Sequence, residues 1–505
     1  MFDEYIEKIK NARVYDVAVR SPLEPLGILS GRYDNKIFLK REDLQAVFSF
    51  KLRGAYNKMV NLAPDQVKQG VIAASAGNHA QGVALAAQRL SLRALIVMPL
   101  TTPQIKIDAV VRLGAEVVLH GNNYDEAYDH AKVLSGEKHM CFVHPYDDPE
   151  VIAGQGTVAV EVLEQLDAPP HAVFVPVGGG GLIAGMALWI KHHHPEVRVI
   201  GVEPEDAPSM HDALAANERV LLDHVGIFTD GVAVRRAGKE PFRIAKELVD
   251  EMILVTTDEV CAAIKDIYDD TRSIAEPAGA LGIAGLKKYI ERESCHDRQF
   301  VAVNSGANIN FDRLRHVSER ADIGERLEAL VAVTIPEKAG SFRVFCEVIG
   351  QRGITEFNYR YFDDLEAHVF AGVQLRGGDS EREELIASLR EKGYPVIDMT
   401  ENEMAKLHIR YMVGGRAAGV ANELLYRFEF PERPGALLHF LNRMSADWNI
   451  SLFHYRNHGA DYGRVLVGIQ VPVEERDAFQ LFLDGLGYVY EEESNNPAYA
   501  LFLGG

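Results

Sequence analysis

The run Val175-Pro176-Val177-Gly178-Gly179-Gly180-Gly181-Leu182-Ile183-Ala184-Gly185 decides the reading of the fold. A strand apolar at every position, Ala172 to Val177, meets four glycines and then an apolar helix over Ile183 to His192. Strands without a polar face are covered on both sides, which is the habit of parallel sheets. Glycines leave backbone N–H groups uncovered and the following helix adds its positive end, so the loop suits a phosphate. A plain flexible turn is the alternative, and four consecutive glycines carry a large entropic cost without a use. The loop fails the dinucleotide fingerprint, because the third glycine of G-x-G-x-x-G falls on Ile183, and it lacks the Lys-Ser/Thr of a P-loop.

Outward from this loop the same alternation extends from about Leu23 to Phe311. Val71 to Ala74 precedes a helix over Gln81 to Leu90. Ala94 to Met98 precedes one over Pro103 to Leu113, and Glu116 to Leu119 one over Tyr124 to Leu134. Phe142-Val143 leads toward a helix over Gly156 to Leu166, and Val197 to Val202, Met252 to Val255 and Phe300 to Val303 are further apolar runs. The pattern predicts an α/β domain with a parallel sheet covered on both faces, spanning 1–322, and ligands in such sheets bind beyond the carboxyl ends of the strands.

After about Ile323 the pattern changes to a duplication. Val333-Thr334-Ile335-Pro336-Glu337-Lys338-Ala339-Gly340 resembles Phe428-Glu429-Phe430-Pro431-Glu432-Arg433-Pro434-Gly435, and Ile354-Thr355-Glu356-Phe357-Asn358-Tyr359-Arg360 resembles Ile450-Ser451-Leu452-Phe453-His454-Tyr455-Arg456. Each copy reads strand, helix, strand, strand, helix, strand, the ferredoxin-like order. The copies span 328–400 and 422–493, with a C-terminal extension to 505, and Glu401 to Gly419 reads as a connector.

The 505 residues suggest two to four domains, and 47% hydrophobic with 25% charged content is that of a soluble globular protein. A formal net charge of -20 argues against nucleic acid or an anionic membrane surface as partner. Cys141, Cys261, Cys295 and Cys346 form no C-x-x-C pair and read as reduced thiols of a cytoplasmic protein. No His/Cys/carboxylate cluster has metal-ligand spacing, no apolar run approaches the ~18 residues of a membrane span, and Met1 to Val14 lacks a signal-peptide core.

Three further stretches carry chemistry. In Phe48-Ser49-Phe50-Lys51-Leu52-Arg53-Gly54-Ala55, Lys51 sits where extended chain gives way to helix, without acidic neighbours. Desolvation there leaves an amine partly neutral and nucleophilic toward a carbonyl, although a lone lysine is usually a solvated charge. Ser75-Ala76-Gly77-Asn78-His79 follows a strand and opens a helix, so Ser75, Asn78 and the helix-start amides can hold a carboxylate, or merely cap the helix. Ser305 lies just past the Val301 to Asn304 run, and Glu276-Pro277-Ala278-Gly279-Ala280 reads as an ordinary helix opening. A phosphate site, a carbonyl-seeking amine and a carboxylate site together fit pyridoxal phosphate plus an amino acid.

Ser49-Phe50-Lys51 with Arg53-Gly54-Ala55, Ser75 to His79, Gly178 to Leu182 and Ser305-Gly306 resemble, in order, the motifs of fold-type-II pyridoxal-phosphate enzymes, specifically the serine/threonine dehydratase branch. The duplicated tail is similar to the paired ACT-like domains of the biosynthetic threonine dehydratase family. The resemblance implies that Lys51 carries the cofactor covalently and then acts as general base, with Phe50 beside the ring and Asn78 on its hydroxyl. It implies that Gly178, Gly179, Gly180, Gly181 and the Leu182 amide hold the phosphate and that Ser305 faces the ring nitrogen. Ser75, Asn78 and His79 are implied near the substrate carboxylate. The implied reaction converts L-threonine to 2-oxobutanoate and ammonia, the first committed step of isoleucine biosynthesis. Inhibition by isoleucine, opposition by valine and a homotetramer are implied as well. ACT-like modules bind small amino acids near the turn before the first helix, which here means Gly340 and Gly435, with Leu437 and Leu441 either touching an effector or packing as helix core. The nearest alternatives with the same cofactor are L-serine dehydratase, a racemase and threonine synthase. A silent amino-acid sensor and a nicotinamide dehydrogenase are the readings from other classes.

Overall fold

A computed structural model describes residues 2–336, 341–350, 352–361, 366–411, 421–431, 439–440, 443–445, 448–456 and 462–503. The chain divides into two compact units, Met1–Ala321 and Asp322–Gly505.

The first unit holds ten strands: β1 (Leu23–Pro25), β2 (Lys36–Arg41), β3 (Val71–Ala74), β4 (Ala94–Met98), β5 (Glu116–Leu119), β6 (Cys141–Phe142), β7 (Ala172–Pro176), β8 (Arg198–Pro204), β9 (Glu251–Val255) and β10 (Gln299–Asn304). They sort into two sheets, in the orders β1-β2-β10-β7-β8-β9 and β5-β4-β3-β6. All pairings are parallel except β1 with β2. The sequence pattern predicts one parallel sheet, and the division into two is a correction. Apolar runs of four or five residues are interchangeable as partners, so their pairing is settled only by the packing of the helices between them. Both faces are sealed: β7 is buried at every position, and so are β3 and β4.

Three helices bring the chemistry-bearing stretches together. Helix Lys51–Val60 packs on helix Pro149–Gln165, and that helix packs on Gly181–His193. The contact runs through glycines: a Cβ on Gly154 would stand 2.7 Å from Gly54 Cα and 2.8 Å from the Arg53 carbonyl. The middle helix starts seven residues before the expected Gly156. Asp148 caps it, accepting from the Glu150 and Val151 amides at 2.8 and 3.3 Å, and Pro149 occupies the first turn.

The second unit contains two four-stranded antiparallel sheets. The first is built from β11 (Glu328–Pro336), β12 (Ile354–Tyr361), β13 (Glu366–Gln374) and β14 (Val396–Asp398), in the order β12-β13-β11-β14. The second repeats that order with β15 (Glu423–Pro431), β16 (Asn449–Arg456), β17 (Tyr462–Gln470) and β18 (Val489–Glu492), giving β16-β17-β15-β18. The repeat extends to side chains. Glu328 on β11 accepts from the Thr355 hydroxyl and from Arg410, and its counterpart Glu423 on β15 accepts from Ser451 and Tyr499. The connector is not a plain linker. It forms a short helix, Glu403–Leu407, whose Met404 and Ala405 are buried with Phe370 of one sheet, Leu425 and Leu466 of the other, and Phe502 of the C-terminal helix Pro497–Phe502. Among the described residues no helix is long and apolar enough to cross a membrane.

Candidate active site

The site is built where β2, β3, β7 and β10 deliver their following loops. Lys51 is the first residue of its helix. Its ammonium donates to the Pro145 carbonyl at 3.3 Å and lies 5.2 Å from the centre of the buried Phe50 ring. Burial lowers the Lys51 amine to about 8, and the Glu276 carboxylate pulls the other way without cancelling it. With its amine at about 8, roughly a tenth of Lys51 is neutral at pH 7, far more than of a surface lysine. The segment before it is stitched to the end of β10: the Phe50 amide donates to the Ser305 carbonyl at 3.2 Å, and Ser49 bridges Gly306. Ser305 is thus buried next to the lysine helix, its hydroxyl 3.4 Å from the Ala278 carbonyl.

The glycine loop is explained from both sides. Where a Cβ would stand, protein already does: Val232 against Gly178, the Tyr146 ring against Gly179, Met210 and Pro241 against Gly180, and Tyr146 again against Gly181. Gly180 also has φ +91°, a left-handed conformation that costs a side-chain-bearing residue. Among the described residues the amides of Gly178, Gly179 and Gly180 meet no acceptor, and Gly181 and the buried Leu182 begin a 13-residue helix. Uncovered amides at a helix N-terminus fit a phosphate. Together with a lysine of lowered basicity they fit pyridoxal phosphate, a group that needs one amine and one phosphate cradle.

Asn78, the first residue of helix Asn78–Leu90, is held on both ends of its carboxamide. It donates to Glu276 at 2.6 Å and accepts from the Asn308 side chain at 2.7 Å. Glu276 is therefore no simple cap, and its side chain makes no capping bond. Burial, then the Asp230 carboxylate, push its carboxyl up to about 7, against the donors Asn78 and Asn308. Ser75 accepts from the Gly77 amide at 3.2 Å, leaving its hydroxyl proton available. His79 lies deeper, with Nε2 2.9 Å from the Val143 carbonyl, a contact that requires the proton on Nε2. Burial foremost, then Lys51, depress it to about 3, so the ring is neutral and offers a carboxylate no charge. The effector candidates Gly340, Gly435, Leu437 and Leu441 lie outside the described residues.

Sequence reasoning missed Pro145, Tyr146, Asn308 and the role of Glu276. Two signals were available. His144-Pro145-Tyr146 follows β6 after one residue, and Asn308 follows β10 by four residues, both in the position where parallel sheets place ligands.

Comparisons with known proteins agree with this geometry. Residues 14–306 match the family model described as pyridoxal-phosphate dependent enzyme, and residues 319–409 and 414–503 match the C-terminal regulatory domain of threonine dehydratase. The chain is 55% identical to the L-threonine dehydratase biosynthetic IlvA of Burkholderia multivorans, over 99% of each chain. It is 53% identical to the Escherichia coli protein of the same name, over 99% of this chain and 97% of that one. Among solved structures, the processed form of threonine deaminase isoform 2 from Solanum lycopersicum superposes with a TM-score of 0.62 at 52% identity, covering 63% of this chain and 93% of that one. Regulatory and catalytic parts both match, over essentially the full length, and the chain belongs to the biosynthetic threonine dehydratase family of pyridoxal-phosphate-dependent enzymes.

Proposed function

We propose that this protein dehydrates and deaminates L-threonine to 2-oxobutanoate and ammonia, with residues 1–322 as the catalytic domain and the lobes 328–400 and 422–493 as its control. The observation that carries the reading is Lys51, whose amine burial lowers to about 8 at the start of a helix packed on helices Asn78–Leu90 and Pro149–Gln165. Pyridoxal phosphate, when bound, supplies a carbonyl for the substrate amine and an electron sink that acidifies its Cα. The chain supplies the rest. Gly178, Gly179, Gly180, Gly181 and the Leu182 amide would hold the phosphate, Phe50 would lie beside the ring and Ser305 would face its nitrogen, where a serine, unlike an aspartate, would not hold a proton. The Lys51 Nζ would take the Cα proton as general base. Ser75 and the first amides of helix Asn78–Leu90 take the substrate carboxylate, with neutral His79 as packing beneath them.

The duplicated antiparallel lobes support feedback control by isoleucine, opposed by valine, in a cytoplasmic homotetramer. The test is 2-oxobutanoate release from L-threonine by the purified holoenzyme with and without isoleucine. Release that isoleucine suppresses is the expected result. Release indifferent to isoleucine removes that effector. No 2-oxobutanoate from threonine, with pyruvate formed from L-serine, moves the substrate to the alternative.

A further inference from the structure

Three residues from three separate loops close a ring of hydrogen bonds. Glu276 precedes helix Pro277–Glu293, Asn78 begins Asn78–Leu90, and Asn308 follows β10. Glu276 Oε1 accepts from Asn78 Nδ2 at 2.6 Å, and Glu276 Oε2 accepts from the Asn308 backbone amide at 3.0 Å. Asn308 Nδ2 donates to Asn78 Oδ1 at 2.7 Å and also to the Val47 carbonyl at 2.8 Å.

The orientation of the Asn78 carboxamide follows from this ring. A carbonyl only accepts, so the Asn308 group facing Val47 must be its NH2. That NH2 also faces Asn78, so the atom of Asn78 it meets must be the oxygen. The Asn78 nitrogen then faces Glu276, which takes one of its two protons and leaves one N–H. Turning Asn78 over would set donor against donor at Asn308 and acceptor against acceptor at Glu276, a double loss inside a half-buried network.

We propose that Glu276 and Asn308 are positioning residues that lock the Asn78 carboxamide so that its remaining N–H is offered to the ring hydroxyl of pyridoxal phosphate. This rests on the reading that Asn78 binds the cofactor. The lock needs two acceptor oxygens on residue 276, which the ionised carboxylate supplies above about pH 7, so the titrations are run at about pH 8.5. Glutamine offers one acceptor and one donor, so Glu276→Gln sets a donor against either Asn78 or Asn308. Asn308→Ala breaks the lock from the other side by removing the group that pins the oxygen.

The test measures binding of pyridoxal phosphate and of 3-deoxypyridoxal phosphate, which lacks the ring hydroxyl, to the full-length apoprotein by fluorescence titration. Asn78→Ala sets the scale, and its preference for the hydroxyl-bearing form should fall roughly tenfold to a hundredfold from wild type, the range for a hydrogen bond to a polar or charged group. Glu276→Gln and Asn308→Ala should lose at least about tenfold of the same preference while binding the deoxy analogue within about twofold of wild type. A merely structural role would weaken both ligands together and overturns the proposal. A preference lost in Asn78→Ala but kept in the other two also overturns it, leaving the Asn78 reading intact. A preference kept in Asn78→Ala overturns the reading beneath it as well. If Glu276→Gln does not fold, Asn308→Ala decides alone.

Discussion

Two clusters of buried ionisable groups lie a few residues apart in the first unit, and they behave in opposite ways. Around Arg53 the charges are balanced. Arg53 and Lys40 are both fully buried, and so are Glu42 and Glu161. Arg53 pairs with Glu42 at 2.8 Å and with Glu161 at 2.6 Å, and Lys40 pairs with Glu161 at 2.6 Å. Burial opposes every charge there. Even so, the two carboxylates hold Arg53 above its ordinary value and the two cations hold Glu161 below the usual carboxylate range, while for Lys40 burial outweighs the carboxylates and lowers the amine. Around Lys51 the balance is incomplete. Its ammonium has a carbonyl and an aromatic ring for company, burial takes it down to about 8, and Glu276 stands at about 7. The lesson is that burial alone does not make a group reactive. Pairing fixes a buried charge as structure, and its lack leaves a proton free to move.

The contrast is broken most directly by removing each cation. Lys51→Ala should lower threonine turnover by at least about 10³-fold, the upper part of what a positioned base contributes, while urea unfolding stays within about 0.5 kcal/mol of wild type. A large stability loss in that variant would place Lys51 with the structural cluster. Arg53→Met should do the reverse, costing about 3–5 kcal/mol in urea denaturation because Glu42 and Glu161 are left buried with Lys40 alone. The contact joining the two regions is tested by Gly154→Ala. Its Cβ would press on Gly54 and the Arg53 carbonyl, and about 1–3 kcal/mol of stability should be lost.

The smallest effect sharpens the comparison by pH. Condensation with a carbonyl needs the neutral amine. With the Lys51 amine at about 8, the neutral fraction is small at pH 6, rises as pH increases, and levels off above about pH 9. The rate at which apoprotein recombines with pyridoxal phosphate in stopped-flow absorbance should therefore climb about tenfold between pH 7 and its plateau. A rate still climbing at pH 10 would mean an ordinary, solvated lysine.

Much of this was legible beforehand because it is local. The glycine run, the lysine at a strand-to-helix junction and the small-residue turn after β3 each announce themselves within about ten residues, where backbone chemistry sets what a segment can do. The duplication was legible because repeated spacing survives without knowledge of contacts. From sequence Glu276 reads as a plain helix opening, because nothing near it says that Asn78, 198 residues away, donates to it. The first turn of helix Pro149–Gln165 was missed although Asp148-Pro149 is a local start signal, since the apolar periodicity is clearest only further on.

By itself the sequence determined most of the strands and the helices that follow them, that the N-terminal part is a parallel α/β unit with a phosphate-type loop, and that a ferredoxin-like module occurs twice. These follow from propensity, periodicity and turn chemistry, which act between neighbours. Only the tertiary structure decided that the strands form two sheets, that Arg53 is paired and Lys51 is not, and that Asn78 is gripped from two sides. Each of these depends on which distant groups share one dry volume, and the strength of a charge or hydrogen bond is set by that volume more than by the residue that carries it.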